Sequence, residues 1–244
     1  MFFPYKDDNP TLSTPVATFA LIGLNVLVWV LIQGMGTEPR LSASVCELGL
    51  IPGEILRQLP AGTPVGGGIP CEIAGSPNWI TPFSSMFMHG GWLHLIGNMW
   101  FLWVFGNNIE DSMGKLRFVA FYLLTGLAAA ATQAFINPAS PIPMVGASGA
   151  ISGVMGAYIV LYPKVRVHML VFLAIFFTRI TVPAIFMLGY WFLLQLLGGL
   201  PTLARESGGV AFWAHTGGFV AGMALVYPFR NPALVEARLA RGLP

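Results

Sequence analysis

Residues 145–162, from Val145 to Tyr162, read VGASGAISGVMGAYIVLY and stop at Pro163. No charged residue interrupts the run before Lys164, the composition of a helix surrounded by lipid or by other apolar helices. Gly149, Gly153 and Ala157 recur at every fourth position, the spacing that lets membrane helices meet backbone to backbone. Gly146 and Gly149 flank Ser148, so the chain can turn tightly into the helix there and another chain can approach the hydroxyl. Serine is also a common helix cap, and this stretch alone does not separate a cap from a nucleophile.

Working outward, the whole chain has the same character. Of its 244 residues 55% are hydrophobic and 9% charged, with a mean hydropathy of +0.72, whereas soluble domains carry roughly 25% charge. Five further apolar stretches, Val16 to Gln33, Leu93 to Phe105, Phe118 to Phe135, Val182 to Leu200 and Ala214 to Tyr227, are separated by Gly, Pro and charge clusters. With Ser148 to Tyr162 they predict an all-α polytopic membrane protein, a bundle of six transmembrane helices with a long outer loop after the first. The membrane domain covers 16–230, between a short cytosolic tail at 1–15 and a cytosolic C-terminal tail at 231–244. The first stretch lacks the charged lead-in and cleavage site of a secretory signal and is read as a retained span. Val167 to Phe177 is short and follows Pro163, Lys164 and Arg166, which predicts an interfacial or re-entrant segment.

Six spans with both termini in the cytosol place Lys6, Lys115, Arg117, Lys164, Arg166, Arg179, Arg230, Arg238 and Arg241 inside, and Arg40, Arg57 and Arg205 outside. That asymmetry obeys the positive-inside rule. The net charge of +2 comes without a basic run or interleaved aromatics, so no nucleic-acid partner is expected. The Gly- and Pro-rich stretch from Gly34 to Gly91 is long for a connection and predicts a structured or functional outer loop. It holds Cys46 and Cys71, which on the outer side could pair or remain two thiols.

Polar side chains within the spans are the first candidates for function, because lipid makes them costly. They are His94, Asn98, Ser148, Ser152, Gln195 and His215, with Thr125 and Gln133. No H-E-x-x-H motif or cysteine–histidine cluster is present in the sequence, so no metal or other cofactor is expected. The 15 residues from Ser148 to Pro163 correspond to about 22 Å of helix, short of a hydrocarbon core of roughly 30 Å. The 13 from His215 to Pro228 give about 20 Å, so serine and histidine lie at nearly one depth. Gly218 and Gly222 face the same close packing as Gly149 and Gly153, which brings His215 toward Ser148 as general base to nucleophile. The sequence offers no acid to orient the histidine, so the arrangement is a dyad. His94 and Asn98 are four apart on one helix face and, with the backbone N–H groups of Ser148 and Gly149, could form an oxyanion hole or else a polar clasp between helices. Gln195 is read as a helix bridge and His168 as solvated or interfacial.

These residues resemble the rhomboid family of intramembrane serine proteases, through motifs in the family's order from about Trp79 to Gly222. His89-Gly90-Gly91-Trp92-Leu93-His94-Leu95-Ile96-Gly97-Asn98 resembles the second-span signature, which implies that His94 and Asn98 support the oxyanion and His89 holds the outer loop. Gly106, Glu110 and Gly114 match a G-x3-E-x3-G element, implying a structural Glu110. Gly146-Ala147-Ser148-Gly149 resembles the nucleophile motif, and Ala214-His215-Thr216-Gly217-Gly218 that of the base. Two departures are Trp79-Ile80, where many members have Trp-Arg, and Ser152, where some carry an aromatic ring. The resemblance implies a prokaryotic inner-membrane protease with transmembrane proteins as substrates and membrane lipid around it, and leaves the oligomeric state open. The chief rival reading is a non-catalytic chaperone or binding module on the same scaffold, and a small-solute transporter stands third.

Overall fold

The computed structural model of the chain describes residues 2–173, 176–203 and 210–244. Its helices are α1 (Val16–Leu31), α2 (Arg40–Leu48), α3 (Pro52–Ile55), α4 (Thr81–Ser84), α5 (Trp92–Met113), α6 (Lys115–Ile136), α7 (Ser148–Leu161), α8 (Ala184–Gly199), α9 (Phe212–Phe229) and α10 (Pro232–Ala240). The longest of them, α1 and α5 to α9, lie on the apolar stretches of the sequence. Lys115–Ile136 and Ala184–Leu203 are long and apolar enough by themselves to cross a membrane, while Val16–Leu31 and Ser148–Leu161 are apolar but shorter.

The core forms around α7, in which every residue from Gly149 to Tyr158 is buried. Small side chains make this possible. A Cβ at Gly218 would overlap the Gly149 carbonyl, one at Gly222 the Gly153 carbonyl, and one at Gly156 the Phe219 carbonyl. The backbones of α7 and α9 therefore touch along three successive turns, and that contact sets the distance between whatever stands at their heads.

The all-α expectation is corrected by a three-stranded antiparallel sheet in the order β1 (Phe2–Asp7), β2 (Arg166–Leu173), β3 (Phe176–Pro183). Phe2 pairs with Val171 and Asp7 with Val167, and β2 pairs with β3 from Arg166 opposite Pro183 to Leu173 opposite Phe176. The segment expected to be interfacial or re-entrant is thus a hairpin. Val167, Met169 and Val171 are buried while His168 and Leu170 between them are partly exposed, a period of two that marks a strand and that total hydropathy conceals.

The two segments read as tails are both packed. Helix α1 has no side-chain cap of its own; the Glu110 carboxylate of α5 accepts from the N–H groups of Ala17 and Thr18 and from the Thr18 hydroxyl at 2.7–2.9 Å. A carboxylate there satisfies orphan donors and opposes the positive end of the helix dipole. Its neighbour Asp111 accepts from the N–H groups of Leu12 and Ser13 and pairs with Arg238 of α10 at 2.5 Å. Arg238 also donates to the Asn9 side-chain oxygen.

At the end of β1, Asp7 accepts from the Tyr158 hydroxyl at 2.5 Å and from Asn108 at 2.9 Å. Burial pushes its carboxyl from 3.8 up to about 6. A raised folded-state value means that the folded protein holds this proton more tightly than the unfolded chain, so stability falls as pH rises from about 4 to about 6. The penalty is absent below that window and fully present above it, of order 3 kcal/mol. Thermal unfolding followed between pH 5 and 7.5 should show a lower Tm at the higher pH in the wild type and a smaller difference in Asp7→Asn. Equal pH dependence in the two proteins would show that Asp7 is not the titrating group.

The long connection between α1 and α5 is ordered. Leu50 and Met144 form an antiparallel bridge, Pro64 and Glu72 another, Ile51, Val65 and Ile73 make a small core of their own, and Cys46 and Cys71 are joined as a disulfide. At the end of α1 the Gln33 amide clasps the His89 backbone, donating to its carbonyl and accepting from its N–H, both at 2.8 Å.

Candidate active site

Ser148 is the first residue of α7, and the turn that delivers it passes through Gly146 at φ +125°. Glycine is required there twice over, by the backbone angle and by space. A Cβ on Gly146 would stand 2.7 Å from His94 Nε2 and 3.4 Å from Asn98 Nδ2. The Gly146 N–H donates to the Ser85 carbonyl at 2.9 Å, which fixes the turn. Since the first intrahelical bond runs from the Ile151 N–H to the Ala147 carbonyl, the N–H groups of Ser148 and Gly149 have no partner within the helix.

His215 lies in the first turn of α9, and its Nε2 is 2.8 Å from Ser148 Oγ. On its other side Nδ1 is 2.8 Å from Gln195 Oε1 of α8. The Trp191 ring lies against the imidazole, with centroids 5.8 Å apart and planes at 38°. The Gln133 side chain of α6 accepts from the Ala214 N–H at 3.3 Å and ties down the start of α9. Ser152 spends its hydroxyl on the Ser148 carbonyl at 2.6 Å; the ring beside the base is supplied by α8.

His94 and Asn98 project from α5 over Gly146. The Gly90 N–H donates to His94 Nδ1 at 3.4 Å, so in the neutral ring Nε2 carries the hydrogen and is the donor on the side of Gly146. Asn98 is 8% exposed and its Nδ2 is buried with no hydrogen-bond partner among the described residues. Both line a cleft of about 450 Å³ together with Ser148, His215, Gln133 and Asn137, closed on one flank by Ile142, Pro143, Met144 and Val145.

The structure therefore brings Ser148, His215, His94 and Asn98 to one cleft. It puts His89 behind them, its ring edge-on to His94 at 5.2 Å. Gly222 lies deeper along the α7–α9 contact, Glu110 at the start of α1, and the disulfide in the outer loop. His168 belongs to the sheet, held by Asp8 and Thr181. The Gly199 to Gly209 segment, which the sequence reads as a flexible cap over the serine, falls at 204–209 outside the described residues. Sequence reading did not assign Gln195 and Trp191 to the base. The available signal was their spacing of four, which puts both on one face of α8.

A half-buried serine–histidine pair, two side-chain donors and a helix N-terminus thus share one cleft of an apolar helical bundle. The Rhomboid domain family matches residues 76–232, more than half of the chain. The chain belongs to the rhomboid family. It is similar to "Rhomboid protein 1, mitochondrial" of Saccharomyces cerevisiae, 28% identical over 170 residues that cover 67% of this chain and 45% of the relative. It is also similar to "Rhomboid protease GluP" of Bacillus subtilis, 33% identical over 150 residues, 62% of this chain and 27% of the relative. With "RHOMBOID-like protein 5" of Arabidopsis thaliana the identity is 36% over 74 residues, 30% of this chain and 24% of the relative. The chain thus spans less than half the length of these curated relatives.

Proposed function

We propose that the chain is an intramembrane serine protease, hydrolysing peptide bonds within or near transmembrane segments of other membrane proteins by a Ser148–His215 dyad. The observation that carries this reading is the 2.8 Å contact of His215 Nε2 with Ser148 Oγ, in a cleft shared with His94 and Asn98. Ser148 Oγ attacks the scissile carbonyl while His215 takes its proton. The tetrahedral oxyanion is met by His94 Nε2–H, Asn98 Nδ2–H and the N–H groups of Ser148 and Gly149. Collapse breaks the C–N bond, His215 returns the proton to the leaving amine, and a water activated by the same ring hydrolyses the acyl-enzyme. This route calls for no metal or cofactor.

Six spans, α1 and α5 to α9, with the basic segments on the cytosolic face of a cell membrane, agree with the charge asymmetry. Helix α7 then sets Ser148 about 22 Å from the inner end, within the bilayer but nearer its outer surface. A substrate helix bonds its own backbone internally, so it must unwind near its outer end before attack, and small residues or Gly there lower that cost.

The test is proteolysis of single-span substrates by the protein in liposomes, with product masses determined. Cuts are expected in the outer third of the span, slowed when its small residues become Leu. Absence of any cleavage, together with no labelling of Ser148 by a fluorophosphonate, would leave the binding-module reading in its place. Cuts confined to the cytosolic end would overturn the depth argument.

A further inference from the structure

We propose that Gln195 is the positioning residue of the base: its amide oxygen holds His215 in the tautomer that leaves Nε2 free to take the Ser148 proton. The inference rests on the dyad reading above and concerns the third member that a dyad lacks, an acid, replaced here by an amide.

The orientation of the amide follows from what each partner can do. Gln195 Nε2 donates to the Trp191 carbonyl at 3.3 Å, and a carbonyl oxygen only accepts. Oε1 therefore points at His215, 2.8 Å from Nδ1. An amide oxygen also only accepts, so Nδ1 must carry the hydrogen. In the neutral ring Nε2 then has its lone pair free, and it is Nε2 that stands 2.8 Å from Ser148 Oγ. The opposite tautomer would set two lone pairs against each other at Gln195 and would make Nε2 a donor to the serine oxygen, unable to take its proton.

The ring is also walled. Trp191, one turn before Gln195, lies against His215 and against Phe219 of α9, at 5.8 and 6.0 Å between centroids. Helix α8 thus supplies both the hydrogen bond and the surface that stop the imidazole from turning. An amide suits the place better than a carboxylate, because an ionised acid buried in an apolar bundle is costly, whereas an amide orients without charge. Since Gln195 rides on α8 while serine and histidine stand on α7 and α9, the tautomer is held only while α8 is seated.

A helix bridge with no part in the reaction would leave tautomer and turnover untouched, and that separates the two roles. The protein labelled with 15N-histidine is reconstituted in nanodiscs, and the His215 signals are identified by their loss in His215→Asn. Wild type should show Nδ1 protonated and Nε2 bare. Gln195→Leu should show a tautomer mixture, with kcat down about 10- to 100-fold and KM within about twofold, a smaller loss than a triad suffers when the wrong tautomer is imposed. Gln195→Glu should recover most of the rate, since either protonation state keeps an oxygen toward Nδ1. A wild-type spectrum with Nε2 protonated, or Gln195→Leu turning over within twofold of wild type, would overturn the proposal. Should Gln195→Leu fail to fold, the wild-type spectrum still decides. A wild type that neither cuts substrate nor takes a fluorophosphonate would sink the protease reading instead, while the tautomer in the same sample is read independently.

Discussion

Ser148→Ala and His215→Ala should each reduce peptide-bond cleavage by about 10⁴-fold or more, because each removes one half of a unit that acts together. The two losses should not add in the double variant, whose residual rate should match that of either single variant. Neither substitution disturbs the scaffold: the α7–α9 contact is made by Gly149, Gly153, Gly156, Gly218 and Gly222, none of which is altered. Both proteins should therefore be extracted as folded, monodisperse samples with near-wild-type thermal unfolding. The measurement is the single-turnover rate on a transmembrane substrate in liposomes. Activity within tenfold of wild type in either folded variant would contradict the assignment of nucleophile and base.

The next largest effect is expected at the two donors over Gly146. Loss of one oxyanion donor typically costs about 10²–10³ in rate, and His94→Ala and Asn98→Ala should fall in that range with little change in KM. Asn98 is the sharper test. Its Nδ2 is buried without a partner among the described residues, a condition that costs about 1–3 kcal/mol in a resting protein. Asn98→Ala should therefore be slower yet no less stable. A polar clasp between helices would give the reverse, lower stability with kcat unchanged, and unfolding curves measured beside the kinetics separate the two.

Much of this arrangement was legible in the sequence because lipid-type helices advertise themselves by composition and by small residues at every fourth position. The stretches read from Val16, Phe118 and Ser148 all became helices, and Gly153 and Gly222 meet where their spacing placed them. The sheet was missed for a physical reason: β2 is apolar on both sides, so hydropathy summed over Val167 to Phe177 resembles a short lipid-facing segment, and only the alternation Val167, Met169, Val171 betrays a strand. Its partner β1 contains Pro4, Lys6 and Asp7, which read as a polar tail because pairing partners some 160 residues apart leave no local signal. Gln195 was visible but underdetermined. A glutamine in an apolar helix has many possible partners, and which one it meets depends on how α8 rotates against α9.

The capping of α1 by a residue of α5 also has a temporal side. The chain emerges from the ribosome in order, and the donors at Ala17 and Thr18 wait 93 and 92 residues for Glu110. Until then the first helix can sit in the bilayer only with its N-terminal end hydrated at the surface, since bare N–H groups are not tolerated in hydrocarbon. Arrival of Glu110 and Asp111 permits the start of the chain to settle, and Arg238, separated by 127 residues from Asp111 and 229 from Asn9, completes the arrangement only when synthesis has reached α10. A nascent chain halted after α9 would hold Ser148 and His215 yet leave Asp111 without its cation, so this contact, far from the serine, forms only after the residues of the cleft have been made.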